Sequence, residues 1–108
     1  GAKRRLYRKY STALAAVPSV RLLAEPAGCS SNYWLQTLVL DEAVASQRDA
    51  ILASTNDAGL MTRPAWSLMH SLPAYRACPR MELPVAESLE RRLINIPSSA
   101  SLALEPTP

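Results

Sequence analysis

The stretch SNYWLQTLVL, residues 31–40, alternates along its length and is rich in aromatic and branched aliphatic side chains, a pattern typical of a β-strand. Its two faces carry Tyr33, Leu35, Thr37 and Val39, and Trp34, Gln36, Leu38 and Leu40, respectively. Because both faces hold large apolar side chains, this strand is predicted to be central and buried on both sides. A second strand is predicted just before it, in SVRLLAE (19–25). The short PAGCSS loop between them favours antiparallel pairing, since a parallel crossover needs a dozen or more residues.

Three helices are predicted around this pair. The first spans AKRRLYRKYSTALAAVP, residues 2–18, and ends at Pro18. Its apolar face carries Leu6, Tyr10, Ala13, Leu14 and Val17. The second follows Asp41, a favourable N-cap residue, and ends before Gly59. The third begins at Pro84, because proline is well tolerated in the first helical turn, and its apolar side extends to Leu93.

Extended segments are predicted at LMTRP (60–64) and INIPSSA (94–100), and the closing EPTP (105–108) is predicted to be unstructured. Residues 1–108 are therefore expected to form a single α/β domain of the two-layer α+β kind. It combines a small, mostly antiparallel sheet, covered mainly on one side, with about three helices.

Composition narrows the class of protein. The net charge is only +3, and the apolar runs are far shorter than a bilayer crossing requires. The short apolar runs lead us to expect no membrane association. Cys29 and Cys78 suggest neither a zinc site nor a disulfide framework, so we expect a cytoplasmic location. The basic residues of the first helix are expected to form a solvated face, and nucleic-acid binding ranks last among the hypotheses. No phosphate-binding or hydrolase motif occurs, so a self-sufficient catalytic centre is not predicted.

The segment LMTRPAWSLMHSLPAYRACP, residues 60–79, concentrates four side chains suited to recognition: Arg63, Trp66, His70 and Tyr75. An arginine fork and aromatic faces suit an anionic ligand that carries a ring. The same residues would equally well pin a long loop onto the core. Because His70 is the only histidine, a metal site is not supported. No serine has the local signature that a Ser-His-Asp triad requires. The residues by themselves leave recognition and loop packing open.

The run from Thr62 to Ser99 resembles the C-terminal region of the DegT/DnrJ/EryC1/StrS sugar aminotransferases, which have the aspartate aminotransferase fold. Residues 31–40 and the opening KRRLYRKYSTALAAVP (3–18) match the same family in the same order, so the resemblance covers almost the whole chain. Within this family, the residue pattern most resembles the branch that aminates a 4-keto-6-deoxy nucleotide sugar on the route to legionaminic-acid-type bacterial surface sugars. The residues that carry it are Arg63-Pro64, Trp66, Met69-His70, Pro73, Cys78-Pro79 and Asn95-Ile96-Pro97-Ser98-Ser99.

The resemblance implies the small C-terminal domain of a fold type I aminotransferase. In such enzymes a larger domain holds pyridoxal phosphate on a lysine and pairs a carboxylate with its pyridine nitrogen, while glutamate donates the amino group. Lys3 and Lys9 match no cofactor-lysine motif, so no catalytic or cofactor-binding residue is assigned in this chain. The residues that match positions at the nucleotide-sugar side of the cleft are Arg63, Trp66, His70, Asn32 and Tyr33.

The partners implied are a nucleotide sugar and the cofactor-binding large domain, and self-association into a homodimer is an open alternative. The chain is expected to be inactive alone. A second hypothesis is a free-standing interaction or accessory module derived from such an enzyme.

Overall fold

The computed structural model describes residues 1–104, so the predicted unstructured tail at 105–108 lies outside the described residues. The α-helices are Ala2–Leu14 (α1), Arg48–Asp57 (α2) and Pro84–Arg92 (α3). The strands are Val20–Leu22 (β1), Gln36–Leu40 (β2), Arg63–Pro64 (β3) and Leu93–Ile96 (β4). Short 3-10 helices cover Glu42–Gln47, Met69–Ser71 and Ala100–Ala103. None of the described helices has the length and apolar character needed to cross a bilayer.

The sheet has the order β1-β2-β4-β3, and every neighbouring pair is antiparallel. The predictions of a small antiparallel sheet and of β2 as an inner strand are therefore confirmed. The hairpin between the first two strands pairs Val20 with Leu40, as the short loop predicts. At the other side of the sheet β3 pairs Arg63 with Asn95 of β4.

Much of the core lies where the sheet meets α1. Leu40 and Ile94 are almost completely buried, and Leu6 is the buried residue of α1. Val39 is equally buried on the opposite face of β2. The Gln36 carboxamide donates to the carbonyl oxygen of Lys3 at 3.1 Å. Because side chains alternate along a strand, this contact places α1 over the face of β2 that also carries Leu38 and Leu40. The predicted helix-on-sheet architecture follows from this packing.

The strand β2 is shorter than predicted, because regular pairing begins at Gln36 rather than near Tyr33. Tyr33 has a φ of +50°, which turns the chain before the strand. Two side chains stabilise the turn: Ser31 Oγ accepts from the Tyr33 amide and Asn32 Oδ1 from the Trp34 amide, both at 3.0 Å. The expectation of burial on both faces is consequently wrong for Trp34 and Leu35, which are exposed.

Helix boundaries also differ from the predictions. Helix α1 ends at Leu14, several residues before Pro18, and Val17 is exposed. The second helical segment opens as a 3-10 helix after Asp41, whose side chain makes no capping hydrogen bond. Pro84 starts α3 as predicted, but Leu93 already belongs to β4, where it pairs with Val39. Sheet pairing at Leu93 therefore ends the helix sooner than its apolar pattern indicates.

Candidate functional site

A surface groove of about 630 Å³ lies beside β3 and β4 and reaches the turn that precedes β2. Two tryptophans line it: the side chain of Trp66 is 89% exposed and that of Trp34 is 66% exposed. Further exposed apolar residues around the groove are Leu35, Leu60, Met61 and Leu102. Exposed apolar side chains concentrated in one concave region are typical of ligand or partner sites.

Arg63 lies at the edge of this groove and is held by the C-terminal end of α2. Its Nη1 donates to Asn56 Oδ1 at 2.9 Å and to the Thr62 carbonyl at 2.7 Å. Thr62 is buried, and its hydroxyl lies 2.6 Å from the hydroxyl of Thr55 on α2. In the described part of the chain, the guanidinium Nε and Nη2 of Arg63 make no hydrogen bond, so they are available to an anionic group.

The backbone of Trp34 is fixed on both sides by side chains from elsewhere in the fold. Its amide donates to Asn32 Oδ1, while its carbonyl accepts from Ser98 Oγ at 2.7 Å and from Lys3 Nζ at 3.1 Å. Asn32 does not line the groove. Its carboxamide contacts the groove only indirectly, through Trp34.

Tyr33 lies in a different environment. Its ring is buried and stacks on Tyr7, with ring centroids 4.4 Å apart, and the Arg4 guanidinium lies 5.1 Å from its centroid. The same arginine makes a two-pronged contact with Glu25, at 2.5 and 3.1 Å. Hydrogen bonds that the Arg4 guanidinium and the Ser31 amide donate to the Glu25 carboxylate lower the pKa of Glu25 to about 2. This cluster joins α1 to the loop before β2.

His70 lines a separate pocket of about 270 Å³, together with Tyr75, Cys78 and Arg80. Its Nε2 lies 3.0 Å from Glu87 Oε1 on α3, and 14% of the His70 side chain is exposed. The structure therefore brings Arg63 and Trp66 together in one groove. It places His70, Tyr33 and Asn32 outside that groove.

Five polar or aromatic residues of the groove are not among the residues predicted to bind substrate: Tyr10, Trp34, Asn95, Ser98 and Ser99. The alternating pattern assigns Trp34 to a buried face, because the turn at Tyr33 is invisible to a count of alternating side chains. Asn95 becomes a neighbour of Arg63 only through the β3–β4 register, and Tyr10 lies on α1. Two signals could have found four of them: Trp34 adjoins Asn32-Tyr33, and Asn95, Ser98 and Ser99 lie within the INIPSS segment of the resemblance.

The described residues offer neither a metal site nor a cofactor lysine. Within residues 1–104 no group of three histidine, cysteine or carboxylate side chains is placed to hold a metal ion. Lys3 donates to the carbonyl of Trp34, and Lys9 lies on the same helix; neither lines the groove. The residues that line the groove therefore include no lysine that could hold pyridoxal phosphate there.

Comparisons with known proteins agree with the fold. The model of the DegT/DnrJ/EryC1/StrS aminotransferase family matches residues 1–107. The GDP-perosamine synthase of Vibrio cholerae is 30% identical over 98 residues, which are 90% of this chain and 26% of that protein.

Two solved structures superpose on nearly the whole chain. The aminotransferase TlmJ from Streptoalloteichus hindustanus has a TM-score of 0.81 at 26% identity, over 97% of this chain and 27% of its own. DesI, whose crystal structure was determined in the presence of its TDP-sugar product, has a TM-score of 0.82 at 26% identity, over 94% and 28%. The chain thus spans about a quarter of the length of these relatives.

Proposed function

Because the chain belongs to the DegT/DnrJ/EryC1/StrS aminotransferase family, we propose that it is the small C-terminal domain of a nucleotide-sugar aminotransferase. In this proposal the complete enzyme transfers an amino group from glutamate to a 4-keto-6-deoxy nucleotide sugar. A larger partner domain holds the pyridoxal phosphate. The 108-residue chain supplies part of the sugar-nucleotide side of the cleft and is inactive alone.

The groove with two exposed indoles and a fixed guanidinium carries this proposal. An indole face suits stacking on a base or against a sugar ring, and a guanidinium whose position is set suits a diphosphate. Asn95 and Ser98 line the same groove and supply polar groups for sugar hydroxyls. A GDP-linked sugar in the name of one relative and a TDP-sugar product in the crystal structure of another support this ligand class.

The five residues expected to bind substrate take different parts in this proposal. Arg63 and Trp66 contact the nucleotide sugar directly. Asn32 contributes by holding Trp34, and Tyr33 by packing beneath Arg4 and Tyr7. His70 lies in its own pocket, paired with Glu87. That the enzyme belongs to the legionaminic-acid-type branch is also part of the proposal, and its only support is the resemblance of the sequence motifs.

The groove can be tested with the indole N–H resonances of the two tryptophans, assigned with Trp34→Phe and Trp66→Phe variants. We expect titration of the 108-residue chain with GDP-mannose or TDP-glucose to shift both resonances, with a Kd on the order of 1 mM. Val85→Ala, on an exposed position of α3, is the matched control and should bind equally well. Indole resonances that stay unchanged at about 10 mM of either ligand would contradict the proposal.

The expectation that this chain does not hold the cofactor has a separate test. Pyridoxal phosphate mixed with the purified chain and reduced with borohydride should leave no stoichiometric lysine adduct by mass spectrometry. An adduct on a single lysine would instead assign cofactor binding to this chain. If the cofactor does not bind and neither nucleotide sugar shifts an indole, the free-standing interaction module becomes the better hypothesis.

A further inference from the structure

In the long connection between β3 and α3, residues 65–82, which precede the helix N-cap Leu83, are joined to the rest of the protein by few polar contacts. Its backbone hydrogen bonds near Met69, Tyr75 and Cys78 are local turns within the connection itself. Every residue from 71 to 80 is exposed. An exposed segment with so little burial is not positioned by packing alone.

Two carboxylates of α3 make the remaining contacts. Glu90 Oε1 accepts the Leu68 amide at 3.1 Å, and Glu87 Oε1 lies 3.0 Å from His70 Nε2. Within residues 1–104, these are the hydrogen-bonding and ionic contacts that join the connection to other elements. The two glutamates are three positions apart and so share one face of the helix. We call this pair of contacts the α3 clasp.

The α3 clasp restricts the position of Trp66, one of the residues that line the groove. Trp66 is 89% exposed, so its own side chain does little to fix its position. Its backbone is anchored two residues earlier by Pro64, which pairs with Ile94, and two residues later by the Leu68 amide on Glu90. A four-residue span can reach at most about 14 Å, so fixing both ends confines Trp66 to one region beside the groove.

Helix α3 is itself anchored. The Glu90 carbonyl accepts from Arg48 Nη1 of α2 at 2.7 Å, and Arg92 Nη1 donates to the Leu40 carbonyl of β2 at 2.8 Å. The acceptor of the Leu68 amide therefore stands on a helix tied to both another helix and the sheet. A rigid support of this kind transmits its position to the group it holds.

We infer that Glu90, assisted by the Glu87–His70 pair, is a positioning residue that sets where Trp66 stands at the groove. The part that concerns nucleotide-sugar affinity rests on the proposed function. The position of Trp66 itself does not, and it can be measured without any ligand. In this view His70 contributes by holding the connection rather than by touching a substrate.

The test uses the 108-residue chain with Trp34→Phe, which leaves Trp66 as the only tryptophan. Glu90→Ala should accelerate hydrogen exchange at the Leu68 amide by about ten-fold or more, because a hydrogen bond to a charged acceptor is lost. The time-resolved fluorescence anisotropy of Trp66 should then gain fast-decaying amplitude. Glu90→Gln keeps an acceptor oxygen at the same place and should restore most of both signals.

Two further variants keep the result interpretable. Glu82→Ala removes an exposed carboxylate from the same connection and should leave the anisotropy unchanged. His70→Ala breaks the other half of the clasp and should shift the anisotropy in the same direction as Glu90→Ala, so the inference survives if one variant folds poorly. Unchanged Trp66 anisotropy in folded Glu90→Ala and His70→Ala, judged by circular dichroism, would overturn it. Equal losses of Trp66 order in Glu90→Ala and Glu90→Gln would also overturn the inference.

The nucleotide-sugar titration separates the two proposals. If both hold, Glu90→Ala weakens binding of GDP-mannose or TDP-glucose by up to about ten-fold, because less of the protein is binding-competent. A changed anisotropy with unchanged affinity supports the positioning role and contradicts the part of the proposed function that assigns ligand contact to Trp66. A parent chain that binds neither sugar but loses Trp66 order in Glu90→Ala supports the clasp alone.

Discussion

At the residue scale, local hydrogen bonds decide which aromatic side chains are exposed. Tyr33 and Trp34 are neighbours in the chain, yet Tyr33 is buried under Arg4 while Trp34 lines the groove. The turn that separates their environments is held by Ser31 and Asn32, whose side chains accept the two aromatic residues' amides. One polar turn thus assigns one ring to the core and the other to the site.

Trp66 should be dispensable for the stability of the fold but necessary for ligand binding in the groove. Because its side chain is 89% exposed, Trp66→Ala should change the free energy of unfolding by no more than about 0.5 kcal/mol in urea titrations. The same variant should abolish the ligand-induced shift of the Trp34 indole resonance. A fully retained shift would show that Trp66 takes no part in the groove's binding surface.

Glu25 should make the protein sensitive to acid. The hydrogen bonds from Arg4 and Ser31 lower the pKa of Glu25 to about 2, so the ionised carboxylate is more stable in the folded state than in the unfolded state. This contribution is complete above the ordinary carboxyl pKa and is lost as the pH falls from about 5 toward 2. Thermal unfolding of the parent should therefore show a falling Tm over that range.

In Glu25→Gln this part of the acid dependence should disappear. The slope would not vanish entirely, since the Ser88 hydroxyl and Arg92 also lower the pKa of Glu42. Glu82→Gln, at an exposed carboxylate of the β3–α3 connection, provides the control and should keep the parent's slope. A Glu25→Gln profile parallel to that of the parent would show that the pair with Arg4 does not persist in solution.

At the element scale, β4 links the parts of the molecule. It pairs with β2 on one side and β3 on the other, follows α3 without a loop, and places Asn95 beside Arg63 at the groove. Its pairing with β3 explains why a two-residue strand is sufficient to position Arg63. The contacts of α2 with Thr62 and Arg63 complete the support.

Shortening a buried side chain at the centre of β4 should therefore destabilise the protein. Ile94 is 0% exposed, and Ile94→Ala should lower the free energy of unfolding by about 2–5 kcal/mol through lost burial and a residual cavity. Val85→Ala, at a branched residue on the exposed side of α3, should stay within about 0.5 kcal/mol. Urea denaturation of both variants tests this, and equal losses would place the core elsewhere.

At the scale of the whole molecule, several of the large exposed apolar side chains of the described surface lie around one groove. Trp34, Leu60, Met61 and Trp66 adjoin one another around the groove, and Met69 and Met81 are exposed on the connection to α3. Apolar surface of this kind favours association with another protein surface. In the proposed function the nucleotide sugar occupies this groove, and the larger domain or a second copy packs against the apolar surface around it.

Without such a partner, the chain should self-associate. Sedimentation velocity at about 0.01–1 mM should show a concentration-dependent rise toward the mass of a dimer. Met61→Ser should weaken association, whereas Val85→Ser on α3, farther along the chain, should not. A monomer over the whole concentration range would show that the apolar groove does not mediate self-association.

The order of the elements, the antiparallel hairpin and the start of α3 could be predicted from the amino-acid sequence, because periodicity, turn residues and proline act within a few neighbouring positions. The sequence also singled out Arg63 and Trp66, which the structure places beside the same groove. That Trp34 lines the same groove, while His70 lines a separate pocket, could be seen only once the chain was folded. Those placements depend on contacts between residues far apart in the chain, such as Ser98 with Trp34 and Glu90 with Leu68. A side-chain pattern reports the face of its own element, and it carries no information about which distant group will satisfy a given amide or carbonyl.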